Sequence, residues 1–236
     1  MTPPINSWFN LLKTGTLEHL EESKDYLFES LDEPELEYMK LNLSFQSNSI
    51  CYRMMRCVDG EEAEENKQVI TSGLLSFINV SNFPDGIFLE ITSDKTPIFH
   101  IIELKRFPPN QFEQISKQFL SAYLHCKTIE SLLHLNTTAQ FKYYIGFNEV
   151  VMNEKFPSIQ SNVVYNQSNS PRFFPGQPLP ESVVKWYQNN TISYYSTQYS
   201  HRFDFEEIIN IPLPFVQNTT YGEIERKEFF SEYEVK

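Results

Sequence analysis

Two consecutive strand-like segments followed by a long amphipathic helix constrain the fold of this chain more than any other feature. Residues 85–92 and 97–105 are rich in Ile, Phe and Leu, and Ser93-Asp94-Lys95 between them suits a tight turn. After Pro108-Pro109, apolar residues recur at helical spacing from about residue 110 to residue 135. The pattern predicts a β-hairpin and then a helix, which is typical of a mixed α/β (α+β) domain.

The flanking segments extend this order. Leucines at helical spacing predict an amphipathic helix over residues 16–31, and residues 38–45 alternate as a half-buried strand does. Residues 61–77 predict a second helix whose end could start a strand, and residues 141–147 predict a strand inside a sheet. The C-terminal part shows weaker signals, among them a short helix within residues 183–190. From residue 61 the expected order is helix, possible strand, strand, strand, helix, strand.

The length of 236 residues fits one domain over residues 1–236. We divide it into an acidic N-terminal helical and strand extension (1–60), a core (61–147) and a C-terminal elaboration (148–236). The net charge of −12 argues against a protein that coats nucleic acid nonspecifically. Residues 1–65 carry a net charge of −9, whereas residues 94–127 carry +2. The basic stretch contains Arg106 and Lys117, which we therefore expect to contact nucleic acid.

The sequence contains no run of about 18 apolar residues, which is the length that would predict a membrane span. The first residues lack the features of a secretory signal. The three cysteines form no Cys-x-x-Cys pair and leave an odd thiol if two of them pair. These observations favour an intracellular, cytoplasmic protein without a membrane partner.

Three charged residues lie on and just before the predicted hairpin. Glu103 and Lys105 are two positions apart and share one face of their strand, while Leu104 faces the other way. In a hairpin centred on Asp94, Asp85 lies opposite Glu103. Two adjacent carboxylates repel each other unless a hard cation lies between them, as Mg²⁺ does in oxygen-ligand sites. In the alternative interpretation, Glu103 and Lys105 are ordinary solvated strand residues, and Pro84-Asp85 only marks a turn that leads into a strand.

The sequence Pro84-Asp85, seventeen intervening residues and Glu103-Leu104-Lys105 resembles the signature of the PD-(D/E)xK nuclease superfamily. The resemblance implies a restriction-endonuclease-like αβββαβ core with a central mixed β-sheet flanked by helices. It implies a nuclease dependent on Mg²⁺ or Mn²⁺, most often an endonuclease that hydrolyses DNA. Asp85 and Glu103 would bind the metal, the Leu104 carbonyl would complete the site, and Lys105 would serve the nucleophile or the transition state.

The resemblance also suggests accessory residues and partners. A glutamate of the first core helix often joins the metal site in this superfamily, for which we choose Glu65; a solvated first helical turn is its alternative interpretation. Gln114 and Gln118 share a face of the next helix and could face the site, with surface solvation as the alternative. Duplex-cutting relatives often form homodimers.

Other functions stay open. An RNA-directed nuclease is one, and a catalytically silent nuclease-like fold that binds a protein partner through its acidic N-terminal face is another. A further possibility is that the acidic N-terminal segment covers the basic centre.

Overall fold

The computed structural model describes residues 17–31, 37–56, 83–133, 138–155, 172–174, 177–178, 181–196, 200–221 and 224–235. In the N-terminal half the strands are β1 (Glu18–His19), β2 (Lys24–Leu31), β3 (Glu37–Ser44), β4 (Ile50–Arg56), β5 (Gly86–Ile91) and β6 (Pro97–Lys105). Later strands are β7 (Gln140–Asn148), β8 (Arg172–Phe174), β9 (Gln177–Pro178), β10 (Ile192–Ser196), β11 (His201–Phe205), β12 (Ile209–Leu213), β13 (Phe215–Tyr221) and β14 (Ile224–Glu234). The α-helices are α1 (Phe112–Leu133), α2 (Glu149–Lys155) and α3 (Glu181–Asn189).

A mixed six-stranded sheet with the order β1-β4-β5-β6-β7-β12 forms the centre of the molecule. β5 and β6 form the expected antiparallel hairpin, with Gly86 opposite Ile102, and the predicted register is confirmed. The chain then passes through α1 and returns as β7, parallel to β6. The predictions of the hairpin, the long helix and the following strand are confirmed, as is a short helix near residue 185.

A second sheet with the order β13-β14-β3-β2 lies against the first. β3 confirms the strand predicted over residues 38–45. The helix predicted over residues 16–31 is wrong, because this segment forms β1 and β2. In β2, Leu27 faces Leu41 of the neighbouring antiparallel strand and is fully buried. This pairing partner is distant in sequence and outweighs the local leucine spacing.

Two apolar clusters fill the spaces on either side of the central sheet. One lies between that sheet and α1, whose buried stripe is the predicted one: Phe112, Ile115, Phe119, Ala122, Cys126, Ile129 and Leu133. The other lies between the two sheets and includes Leu27, Leu41, Phe88 and Leu104. β5 and β6 are therefore covered on both faces, and every one of their residues is buried.

The fold is thus mixed α+β, with a central mixed sheet and three α-helices among the residues that the structure describes. Three strands of this sheet, β1, β4 and β12, come from outside the 61–147 segment. The helix predicted over residues 61–77, and the strand that could follow it, lie outside the described residues. Within the described ranges, no helix is long and apolar enough to cross a membrane.

Candidate active site

The hairpin brings Asp85, Glu103 and Lys105 to one end of the central sheet. Asp85 immediately precedes β5, and Lys105 is the last residue of β6. The Asp85 amide donates a hydrogen bond to Glu103 Oε2 (3.1 Å), and the Leu104 amide donates one to Asp85 Oδ2 (2.6 Å). Each carboxylate is therefore fixed by the backbone of the opposite strand, and Asp85 and Glu103 lie side by side as the hairpin register predicts.

The Lys105 ammonium group lies among four oxygen atoms. Its Nζ is 2.6 Å from Glu103 Oε1 and 3.9 Å from Asp85 Oδ2. The same Nζ donates hydrogen bonds to the Leu104 carbonyl (2.8 Å) and to Glu29 Oε1 (3.1 Å). Three carboxylates and one main-chain carbonyl thus surround a single cationic group.

Glu29 is a member of this cluster that our sequence analysis missed. It lies on β2 of the second sheet, one-fifth exposed, and on the same face of that strand as buried Leu27. Its Oε2 is buried and makes no hydrogen bond within the part of the chain that the structure describes. Alternation along residues 24–31 could have placed Glu29 on an apolar face, had the segment been read as a strand.

Burial and mutual repulsion alter the acidity of the cluster. Burial raises the pKa of Glu103 well above its ordinary value, and the charge of Asp85 adds to the rise. The pKa of Glu29 is raised to about 8, mainly by burial and then by the charge of Asp85, while the charge of Lys105 counteracts part of this rise. Burial by itself would lower the pKa of Lys105, but attraction to Asp85, Glu103 and Glu29 outweighs it and raises that pKa. The lysine therefore stays charged and stabilises its acidic neighbours.

The chemistry of these donors fits a hard cation. Carboxylate and carbonyl oxygens are the ligands that Mg²⁺ and Mn²⁺ prefer, and Asp85, Glu103, Glu29 and the Leu104 carbonyl supply them around one position. In this structure Lys105 Nζ lies at that position. Over the described ranges, no group of three or more His, Cys, Asp or Glu side chains is arranged to hold a metal ion. The oxygen donors are thus of the type that suits a hard cation, but as arranged in this structure they surround the lysine ammonium.

The accessory residues have different positions. Gln118 is buried on α1, and its side-chain amide donates a hydrogen bond to the Phe83 carbonyl (3.0 Å), two residues before Asp85. It thus contacts the segment that carries Asp85. Gln114 is exposed on the first turns of α1. Glu65 lies outside the described residues.

The two basic residues expected to contact nucleic acid are both engaged in ion pairs. Arg106 Nε lies 3.1 Å from buried Glu37 Oε2, which places Arg106 beside the second sheet. Lys117 Nζ lies 2.7 Å from Glu113 Oε1 on the surface of α1. Both side chains remain 40% exposed.

A separate chain of hydrogen-bonded polar side chains runs across β5, β6 and β7 on the face of the central sheet that the second sheet covers. Ser49 donates a hydrogen bond to Glu90 Oε1 (2.5 Å), and Glu90 Oε2 contacts His100 Nε2 (2.9 Å). His100 Nδ1 then contacts the Tyr144 hydroxyl (2.8 Å). Burial lowers the pKa of His100, although Glu90 opposes this effect. Because every ring nitrogen has a partner, this histidine is satisfied structurally, on the face of β6 opposite Glu103.

Comparisons of the chain with protein-family models, with curated proteins and with solved structures find no match.

Proposed function

We propose that this chain is a metal-dependent nuclease with a restriction-endonuclease-like core. The observation that carries the proposal is the convergence of Asp85, Glu103 and Lys105 at the end of the β5–β6 hairpin. The order of three neighbouring strands, β4, β5 and β6, followed by α1 and then β7, also supports it. Glu29 adds a third carboxylate from the second sheet.

Each residue has a defined part in the proposed reaction. Asp85, Glu103 and the Leu104 carbonyl would hold Mg²⁺ or Mn²⁺, which lowers the pKa of a bound water and stabilises charge on a phosphate. Lys105 would neutralise the phosphate oxygens or orient the attacking water. Gln118 would keep the segment before Asp85 in place through its bond to the Phe83 carbonyl. Arg106 and Lys117 would contact the phosphate backbone, and the substrate we favour is DNA, cut internally, with a homodimer as one way to reach both strands.

Nuclease assays on purified protein test this proposal. We would incubate the protein with Mg²⁺ and then Mn²⁺ over single- and double-stranded DNA and RNA, using circular and end-labelled substrates to separate internal from terminal cutting. Asp85→Asn and Lys105→Ala should each lower the cleavage rate by roughly 10²-fold or more, because each removes charge stabilisation of the transition state. Lys185→Ala, which removes a surface lysine paired with Glu181, is the matched control and should cleave as the wild type does.

A second candidate function is a catalytically silent fold that binds a protein partner through its acidic face. The ion pairs of Lys105 favour it, since Asp85, Glu103 and Glu29 are stabilised there by the chain's own lysine. This alternative predicts no cleavage of any of the four substrates with either metal. It also predicts that Asp85→Asn has no functional effect, so the same assays decide between the two functions.

A further inference from the structure

The position of the Lys105 ammonium carries an inference about how the site takes up its metal. Nζ lies within 4 Å of Glu103 Oε1, the Leu104 carbonyl, Glu29 Oε1 and Asp85 Oδ2. These are the same oxygens that would surround a divalent cation in the proposed nuclease. An ammonium group is a compact point charge with three donors, and it therefore satisfies such an oxygen cluster much as a small hard cation does.

The ammonium and a divalent cation cannot share this position. Two like charges a few ångströms apart inside a poorly solvated site repel each other strongly. The site is also poorly solvated here, because Glu103 is fully buried and the Lys105 side chain is only 8% exposed. A divalent cation that binds to these oxygens must therefore displace the lysine ammonium from them.

We propose that the Lys105 ammonium is an exchangeable occupant of the cation position, so that a divalent cation binds only as this ammonium leaves. The inference rests on the proposed function, since it concerns the same site. Lysine is suited to such an exchange, because its flexible four-carbon stem lets the charged end move while the backbone of β6 stays in place. The more open side of the cluster is that of Glu29, which is 20% exposed, and the ammonium leaves on this side.

The exchange gives Lys105 two roles at different stages. Without metal, it offsets part of the negative charge of the three acidic side chains and helps to keep the end of the hairpin folded. With metal bound, it is released to contact a substrate phosphate. Since a phosphate that attracts the lysine also frees the cation position, metal and substrate strengthen each other's binding.

Calorimetric titration with Mn²⁺ provides the first test. Lys105→Met keeps a side chain of similar length and removes the competing charge, so we expect it to bind Mn²⁺ about tenfold more tightly than the wild type or better. Lys185→Met removes a lysine that pairs with Glu181 on the surface of α3, and this control should bind as the wild type does. Equal affinity in Lys105→Met and the wild type would overturn the exchange while leaving a metal-binding nuclease intact.

Acetylation of the wild-type protein provides a second test that does not depend on the stability of a variant. Brief treatment with acetic anhydride, followed by peptide mass spectrometry, measures how accessible each lysine is. We expect saturating Mn²⁺ to raise the labelled fraction of Lys105 several-fold, with Lys185 unchanged.

The remaining outcomes are also decisive. If Lys105→Met binds Mn²⁺ more tightly but Mn²⁺ does not change the labelling of Lys105 in the wild type, the lysine weakens metal binding only by electrostatic repulsion. The proposed exchange would then be wrong. No Mn²⁺ binding by either protein would overturn the exchange together with the metal site itself. Cleavage by the wild type with unaltered labelling would leave the proposed function standing without the exchange.

Discussion

His125 shows at the scale of one residue how burial sets a charge state. It lies on α1 with its ring centroid 4.7 Å from that of Phe83, and its Nε2 is buried without a hydrogen bond to any residue that the structure describes. Burial lowers the pKa of His125 from 6.5 to about 4. In the unfolded chain the pKa is near 6.5, so between these two values the unfolded state binds more protons. Stability is therefore lost as the pH falls from 6.5 towards 4.

We expect His125→Phe to remove this loss, because phenylalanine fills the same space beside Phe83 and does not titrate. Between pH 7 and pH 4.5, the free energy of unfolding of the wild type should fall by roughly 2 kcal/mol more than that of the variant. Urea denaturation at several pH values measures the difference. His201→Phe, at an exposed position, is the control and should follow the wild type. Parallel curves for the wild type and His125→Phe would contradict the prediction.

At the scale of elements, Gly86 sets how closely the two sheets approach beside the candidate site. A Cβ at this position would lie 2.7 Å from Leu27 Cδ2 and 2.9 Å from Phe88 Cε2. Leu27 is fully buried between the sheets, so it has little room to move away. Glu29 follows two residues later on the same face of β2, and the spacing that Gly86 permits therefore also brings Glu29 to Lys105.

We expect Gly86→Ala to lower the free energy of unfolding by about 1–3 kcal/mol through overpacking against Leu27. Leu27→Val shortens the side chain that the new methyl group would contact. Adding this substitution to Gly86→Ala should therefore restore part of the lost stability. The loss of unfolding free energy in the double variant should then be smaller than the sum of the losses in the two single variants. Denaturant titration of the wild type and the three variants measures these losses. Strict additivity would mean that the two residues do not compete for space.

The sequence predicts those elements that depend on residues close together in the chain, and it fails where distant segments decide the structure. The β5–β6 hairpin has a short turn and apolar strands, so its register and the pairing of Asp85 with Glu103 could be read from the sequence. The apolar stripe on α1 repeats over six helical turns, and its spacing alone predicts the helix. For β2 the sequence predicts a helix, because its leucines fit a helical spacing, whereas pairing with β3 makes the segment a strand.

The candidate site shows the same division. Asp85, Glu103 and Lys105 come from one hairpin, and their proximity follows from its register alone. Glu29 reaches them only because two sheets pack face to face, and no spacing in the sequence encodes that contact. β12 joins the central sheet beside β7 for a similar reason, since about sixty residues separate the two strands.

At the scale of the whole molecule, the space between the sheets connects the candidate site to the second sheet. Leu41 of β3 is fully buried there, in the same apolar cluster as Phe88 of β5 and Leu104 of β6. The polar chain from Ser49 through Glu90 and His100 to Tyr144 lies in the same space and ties β5, β6 and β7 of the central sheet together. A shared core of this kind favours unfolding of both sheets in one cooperative step.

We therefore expect Leu41→Ala, which creates a cavity in the second sheet, to destabilise both sheets by the same amount, about 2–5 kcal/mol. Hydrogen exchange monitored by mass spectrometry should show that the slowest amides of β3 and of β6 lose protection equally, because both exchange through the same global opening. Asn42→Ala, at the next position of β3 and pointing to its other face, is the matched control and should change both strands by less than about 0.5 kcal/mol. If Leu41→Ala speeds exchange in β3 alone, the second sheet opens independently. Lys105 would then lose contact with Glu29 without unfolding of the central sheet.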